Sequence, residues 1–238
     1  MQLTSVFENA DTQPAYGYAE YLGDGQGITF GFIGFCTGTF DGNLVVKRYC
    51  QRRPGNLLCK YIPTLDKIDS WGGGDSTSGL EGFVKDVQRS ASDPEFVGAQ
   101  LDLHDVMYWN PMMMAAINNG LRFPLTIGQL YDTWIQHGDS GAWDIIGAVN
   151  QQLNGNPKFG VDEMAWLSAF LSKRRSVLQT TPGKGSVWRE STPRVDIYRA
   201  IMNAGNWKLD GPLAISKRPA PAGGYTIPNT YYGEFLLS

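Results

Sequence analysis

The chain is poor in histidine and cysteine, with two of the first and three of the second among 238 residues. His104 and His137 are too few, and the cysteine spacings match no zinc pattern. No metal or other cofactor is therefore expected, and a nucleophilic-cysteine enzyme has no Cys–His signature to support it. Charge of one sign is missing too. Twenty basic residues face 23 acidic ones, for a formal net charge of -3, which argues against the broad basic face that nucleic acid requires. No apolar run reaches the length of about 18 residues that a membrane span needs. After Met1, Gln2-Leu3-Thr4 lacks the charged start and apolar core of a leader. That reading fits a cytoplasmic protein or one whose leader has been removed. Neither an internal repeat nor a heptad pattern is present.

What is there belongs to a globular protein. A chain of 238 residues can bury a large core, as one domain or as two lobes. Seven Trp, eleven Tyr and eleven Phe serve cores and interfaces first, but flat aromatic faces also stack on sugar rings, so a carbohydrate ligand is compatible. Cys50 and Cys59 flank Pro54-Gly55 and could close a loop there; a bridge and two free thiols both fit the sequence. Cys36, in an apolar Gly-rich run, reads as a buried small hydrophobe.

The periodicity predicts a mainly helical chain with one small β element near its start. Residues 3–8 read as the end of a short helix, 14–22 as a helix begun at Pro14, and 28–35 as strand, with Gly31 and Gly34 allowing bends. Helices are expected over 43–50 (apolar at Leu44, Val45 and Tyr49), 56–68 and 80–91, with Asp93-Pro94 starting a run over 94–118 that Pro111 interrupts. Met112 to Met114 read as core filler. Residues 69–79, DSWGGGDSTSG, read as a mobile loop, either a connector or the lip of a cleft. Further helices follow over 125–137, stopped near Gly138, then over 139–156, 161–178 and 193–203. Residues 179–192 read as polar loop, and the Pro/Gly-rich tail from 217 as irregular.

The chemistry concentrates in residues 8–41. Glu8 precedes a turn set by Asn9, Asp11 and Pro14, and Asp24 stands between Gly23 and Gly25, where backbone freedom can hold a carboxylate at a sharp bend. Two carboxylates on different elements are the minimum equipment for acid/base hydrolysis of a glycosidic bond. Each piece also has a plain structural reading. Glu8 could be a solvated charge, Asp24-Gly25 and Asp41-Gly42 turn signals, and Thr29 a β-branched strand residue.

Taken in order, Glu8-Asn9, Tyr16, Asp24, Gly27, Thr29, Ile33, Gly34 and Asp41 resemble the signature of the chitosanases of glycoside hydrolase family 46. Two departures stand out. Gln26 occupies a place where the family usually has Arg, which bears on a local charge partner for Asp24, and the spacer between Asn9 and Tyr16 is short, which bears on the separation of the two carboxylates.

The resemblance implies a single catalytic domain over 1–238, mainly α with a small β-sheet. It would be lysozyme-like, a larger helical lobe and a smaller lobe holding the β element at about 24–80, with a substrate cleft between them. It implies inverting, endo-acting hydrolysis of β-1,4 bonds between glucosamine units of chitosan, with Glu8 as general acid and Asp24 as general base. The carboxyls would stand roughly 6.5–9.5 Å apart to admit a water that Thr29 orients. Further along, Asp132, Arg174 and Arg194 match a charge network behind the acid, which could equally be a salt bridge joining lobes. Tyr18, Glu20, Asp41 and His137 match positions that line the cleft, although His137 could simply cap a helix. Carboxylates suit an amine-bearing polymer, and the expected partners are chitosan and glucosamine oligosaccharides, bound by a secreted monomer with neither nucleic acid nor membrane involved. Two other readings stay open: a lysozyme- or chitinase-like hydrolase of another glycan, and a chitosan-binding protein that has lost catalysis.

Overall fold

Glycine divides the first apolar run. In the computed structural model, which describes residues 4, 14–181, 185–215 and 225–227, Gly31 and Gly34 both take positive φ and split the expected strand into a tight hairpin. Strand β2, Ile28–Phe30, pairs antiparallel with β3, Phe35–Cys36, on one side and with β1, Ala19–Tyr21, on the other. The helix expected over 14–22 is absent. Its first residues form a turn closed by Tyr16 N–H to Pro14 O and Tyr18 N–H to Ala15 O, and the rest is β1. Tertiary contacts override the local helical pattern here. Gln100 donates to Tyr16 O and accepts from Phe32 N–H, Tyr16 packs on Phe32, and Gly17 lies so close to Ala91 that a Cβ would sit 2.6 Å from the Ala91 Cβ. Expected residues 3–8 lie outside the described residues apart from Thr4, which is helical.

The chain resolves into two compact units, one spanning Pro14–Met107 and one holding Thr4 and the described residues from Tyr108 onward. In the first, the sheet packs against α1 (Asp41–Arg52), α2 (Ile62–Ser70), α3 (Phe83–Ser90) and α4 (Pro94–His104). Its core joins Phe30, Phe35, Val45, Val46, Tyr49, Leu65, Phe83 and Phe96. Within α1 the buried apolar face is Val45, Val46 and Tyr49, whereas Leu44, expected on that face, points to solvent. The helix expected from residue 56 begins only at Ile62, after a 3-10 turn at Cys59–Tyr61, because Pro63 is tolerated in a first turn and not in an interior. Asp93 caps α4 by accepting from Glu95 N–H, as Asp93-Pro94 suggests.

Cys50 and Cys59 are bonded, which settles the choice left open above. With nine residues of separation, the loop-closure account gives this bridge about 2–3 kcal/mol. Reduction is expected to lower the melting temperature by roughly 5–10 °C for a chain of this size. Calorimetry with and without reductant checks this, and an unchanged melting temperature contradicts it.

Beyond α4 the helical path continues through a π-turn, Asp105–Trp109, into α5, Asn110–Asn119. Pro111 has no N–H to donate and crowds the preceding turn, so the interruption read from sequence takes the form of a widened turn. Of the three methionines, Met112 is fully buried but Met114 is more than half exposed, so only part of that run fills core. Helix α6, Pro124–Gln152, is broken at Gly138, whose φ of 70° and ψ of 178° separate two helical stretches at the expected place. Next come α7 (Glu163–Thr180), α8 (Gly185–Glu190) and α9 (Thr192–Asn203). The second unit's core gathers Trp134, Ile145, Trp166 and Phe170, with Leu125, Leu171, Val195 and Tyr198 in an adjoining cluster.

Two expectations are corrected. Residues 179–192 are not all loop, since they contain α8. The β element near the start is also not alone: β4, Leu213–Ile215, pairs antiparallel with β5, Tyr225–Ile227, inside the tail expected to be irregular. Three consecutive pairs of backbone partners outweigh a Pro/Gly-rich composition that discourages strands only locally.

Candidate active site

The β1–β2 connection is built from glycine. Gly23, Gly25 and Gly27 all have φ between 66° and 91°, a region that L side chains avoid, and Asp24 is carried between the first two. Its Oδ1 accepts the Gln26 backbone N–H at 3.1 Å, a local turn that fixes one carboxylate oxygen and leaves the residue exposed to solvent. Gln26 therefore serves Asp24 through its backbone, and its neutral side chain adds no charge.

Strand register aligns the neighbouring candidates. Thr29 lies directly opposite Glu20 on β1 and Cys36 on β3, so the three side chains share one face of the sheet. Ile28 and Phe30 point the other way, into the core. The Thr29 hydroxyl lies 3.4 Å from the Cys36 sulfur. Tyr18 donates its phenol to Glu20 Oε2 at 3.0 Å. Burial first, then that hydrogen bond and the charges of Glu20 and Asp24, push the Tyr18 phenol up from its ordinary value. The Tyr21 phenol is raised chiefly by its hydrogen bond to Asp75 and the Cys36 thiol chiefly by burial, with the Asp24 charge adding a smaller push to each. One unit thus brings Tyr18, Glu20, Asp24 and Thr29 to one region of the sheet and its hairpin.

Asp41 occupies a different kind of place. It is buried, at 8% exposure, and its Oδ1 accepts from Cys36 N–H, Gly42 N–H and the Thr39 hydroxyl at 2.7–3.1 Å. Burial raises its pKa, and these donors oppose the rise. The carboxylate joins the end of β3 to the start of α1, a structural task that its turn-like sequence context did not announce.

The second unit holds the charge network. Asp132 on α6 is fully buried between Arg194, which reaches it through Nη2 at 2.8 Å and Nε at 3.2 Å, and Arg174, whose Nη2 lies 2.8 Å away. Burial alone would raise the Asp132 carboxyl, but the two guanidinium charges and their hydrogen bonds prevail and hold it at about 2. The Arg–Asp–Arg arrangement expected from the sequence is therefore present. Sequence reasoning missed Gln136, one helical turn beyond Asp132, which accepts from Arg174 Nη2 at 2.5 Å and donates to Ser191. Its spacing from Asp132 on the same helix was the available signal.

His137 ends the first stretch of α6. Its Nε2 accepts from Arg174 Nε at 3.3 Å, and its ring meets the edge of Trp188. Burial, then the charges of Arg174 and Arg194, lower its pKa to about 3. With Nε2 accepting, the neutral ring carries its proton on Nδ1 and is an uncharged donor. The unfolded chain takes up a proton near pH 6.5 that the folded ring refuses until about pH 3. Stability should thus fall as pH drops through that window, by at most about 1.4 kcal/mol per pH unit. Urea unfolding at several pH values should show His137→Gln with a shallower dependence between pH 6 and 4 than the parent; equal slopes contradict this.

Glu8, the expected general acid, lies outside the described residues.

Known proteins resemble this chain over most of its length. The model of glycosyl hydrolase family 46 matches residues 2–213. A chitosanase of Bacillus subtilis (strain 168) is 40% identical over 220 residues, covering 90% of this chain and 79% of the relative, and a chitosanase of Streptomyces sp. (strain N174) is 37% identical over 222 residues, covering 90% and 76%. Among solved structures, a mutant chitosanase from Bacillus subtilis MY002 complexed with 6 GlcN superposes with a TM-score of 0.86 at 39% identity, covering 95% of each chain. A family 46 chitosanase of Gynuella sunshinyii in complex with chitotetraose gives 0.85 at 36%, again over 95% of each. The fold is thus the one the signature implied, mainly α with a small sheet in the lysozyme-like class. On the match of its family model over nearly the whole chain, and on relatives well above 30% identity, this protein is a glycoside hydrolase that belongs to glycosyl hydrolase family 46.

Proposed function

We propose that this protein is a secreted, monomeric, endo-acting chitosanase that cleaves β-1,4 bonds between glucosamine units with inversion of configuration. The observation that carries the mechanism is Asp24, an exposed carboxylate held on a glycine-built turn beside the sheet face of Thr29 and Glu20. Inversion needs a proton delivered to the leaving oxygen and a water activated on the opposite face of the ring. Asp24 takes a proton from that water as its oxygen bonds to C1. The C1–O4 bond breaks, and Glu8 protonates the departing oxygen. Thr29, level with Glu20 across the strand pair, orients the water through its hydroxyl.

The substrate class rests on relatives named chitosanases and on neighbours solved with glucosamine oligomers. The chemistry of the contacts agrees with it. Glu20 offers a carboxylate to a cationic sugar, with Tyr18 bonded to it, and His137 offers an N–H that carries no positive charge to repel the amine. Asp41 contributes through Oδ2, since Cys36, Thr39 and Gly42 all bond to its Oδ1. The Arg174–Asp132–Arg194 network supports the acid by position. Secretion suits a polymer found outside cells, and the Cys50–Cys59 bond suits an oxidising compartment.

The test is release of reducing ends from highly deacetylated chitosan, run beside chitin and bacterial cell wall. Rapid cleavage of chitosan alone is the expected result. Cleavage of chitin or wall in preference overturns the substrate, and binding to chitosan without cleavage overturns catalysis.

A further inference from the structure

The loop after α2 was read from sequence as a connector or a cleft lip, but it is clasped to the hairpin that carries Asp24. Gly74 N–H donates to Gly38 O at 3.0 Å, and Gly38 N–H donates to Gln26 O at 2.9 Å. The approach tolerates no side chains. A Cβ on Gly38 would stand 2.0 Å from Gly74 O, one on Gly73 would stand 2.1 Å from Gly38 O, and one on Gly27 would stand 2.4 Å from the Thr37 hydroxyl. Three backbone segments, 26–27, 37–38 and 73–74, are therefore in mutual close contact.

Asp75 closes this stack. Its Oδ1 accepts from Gly27 N–H at 3.1 Å and its Oδ2 from the Tyr21 hydroxyl at 2.6 Å. Two successive backbone donors of the turn are thereby divided: Gln26 N–H serves Asp24, and Gly27 N–H serves Asp75. Because Gly23, Gly25 and Gly27 all occupy left-handed backbone regions, the turn has little stiffness of its own and its conformation depends on what grips those N–H groups. Gln26 beside Asp24 has a neutral side chain and offers no charge to brace the base.

We infer that Asp75 is a positioning residue for the general base, holding the Asp24 turn in its working conformation from the loop after α2. This rests on the assignment of Asp24 as base. Asp75 touches no reacting atom; it acts by fixing where the Asp24 carboxylate stands relative to the water. A displacement of about 1 Å at such a group can cost on the order of 10²-fold in rate, so a turnover effect without a binding effect is the signature of this role.

Four proteins test it on chitosan: Asp75→Ala, Asp75→Asn, Asp24→Asn and the double variant Asp75→Ala/Asp24→Asn. Asp75→Ala is expected to lower kcat by about 10- to 100-fold with KM within about threefold of the parent. Asp75→Asn, which keeps an oxygen for Gly27 N–H and an amide for the Tyr21 oxygen, should recover most of the loss. In the Asp24→Asn background, Asp75→Ala should cost nothing further, because its effect runs through a carboxylate already removed. Wild-type kcat in Asp75→Ala beside a disabled Asp24→Asn overturns the positioning role alone. So does a loss confined to KM, or the same fold-loss in both backgrounds, which marks a general structural effect. Full turnover in Asp24→Asn overturns the base assignment, and the positioning role with it.

Discussion

Replacing Asp24 by asparagine should lower kcat on chitosan by about 10²–10⁴-fold, the range of a positioned acid or base, while leaving the fold and KM close to the parent's. The substitution preserves the shape that the turn requires. Asparagine keeps an oxygen for the Gln26 N–H, and Gly23 and Gly25 still supply the backbone angles. Only the capacity to take a proton from water is lost. Melting and substrate binding separate this result from misfolding, since an exposed side chain contributes little to the core. Initial rates across substrate concentration give the answer, and a variant within tenfold of the parent removes Asp24 from the mechanism.

The largest effect on stability is expected at Asp132. Converting it to asparagine leaves two buried guanidinium groups, Arg174 and Arg194, without their countercharge. Breaking a buried pair from one side costs about 3–5 kcal/mol, because the remaining charge stays desolvated. Against a typical total of about 5–15 kcal/mol, that is enough to expose the variant to unfolding at moderate temperature. The pH dependence carries the same information. The folded carboxyl is held at about 2, below its ordinary value of 3.8, so its contribution is complete above pH 4 and is lost as pH falls toward 2. The His137 window runs from about pH 6.5 to about 3 and overlaps this one only below pH 4, so the two are separable above that pH in one series. Urea titrations of parent and Asp132→Asn measure both. A difference under about 1 kcal/mol at pH 7 would show that the pair contributes no more than a surface bridge.

Much of the molecule could be read from residues alone where local chemistry and tertiary structure agree. Asp93-Pro94 starts a helix, Gly138 interrupts one, and Trp166, Phe170 and Leu171 lie on a buried face, because capping, breaking and amphipathic spacing act over a few residues. Reading failed where distant partners decide. Tyr16 to Tyr21 carry a plausible helical pattern, yet pairing with β2 and the anchoring by Gln100, far along the chain, draw them into turn and strand. The tail strand β5 depends in the same way on β4, and no spacing within the tail indicates it.

The candidate site divides along the same line. Asp24 and Thr29 stand out by motif, and Asp132, Arg174 and Arg194 are scattered residues that only the family resemblance connected. Asp41 matches a cleft position, and its Oδ1 also carries a structural task that the motif does not show, bonded by Cys36, Thr39 and Gly42. Asp75 was hidden inside a Gly/Ser-rich loop, where composition suggests freedom and the backbone contacts with Gly27 and Gly38 impose the opposite. Close glycine approach between segments far apart in sequence leaves no periodic trace.

The most direct measurement of the central claim is proton NMR of chitosan oligomers in the first minutes of hydrolysis, before the newly formed reducing ends interconvert. An inverting enzyme acting on β-1,4 bonds releases the α-anomer first, and that is the expected spectrum. Initial release of the β-anomer would contradict the account, because it requires a covalent intermediate and makes Asp24 a nucleophile or a bystander, not the base that activates water.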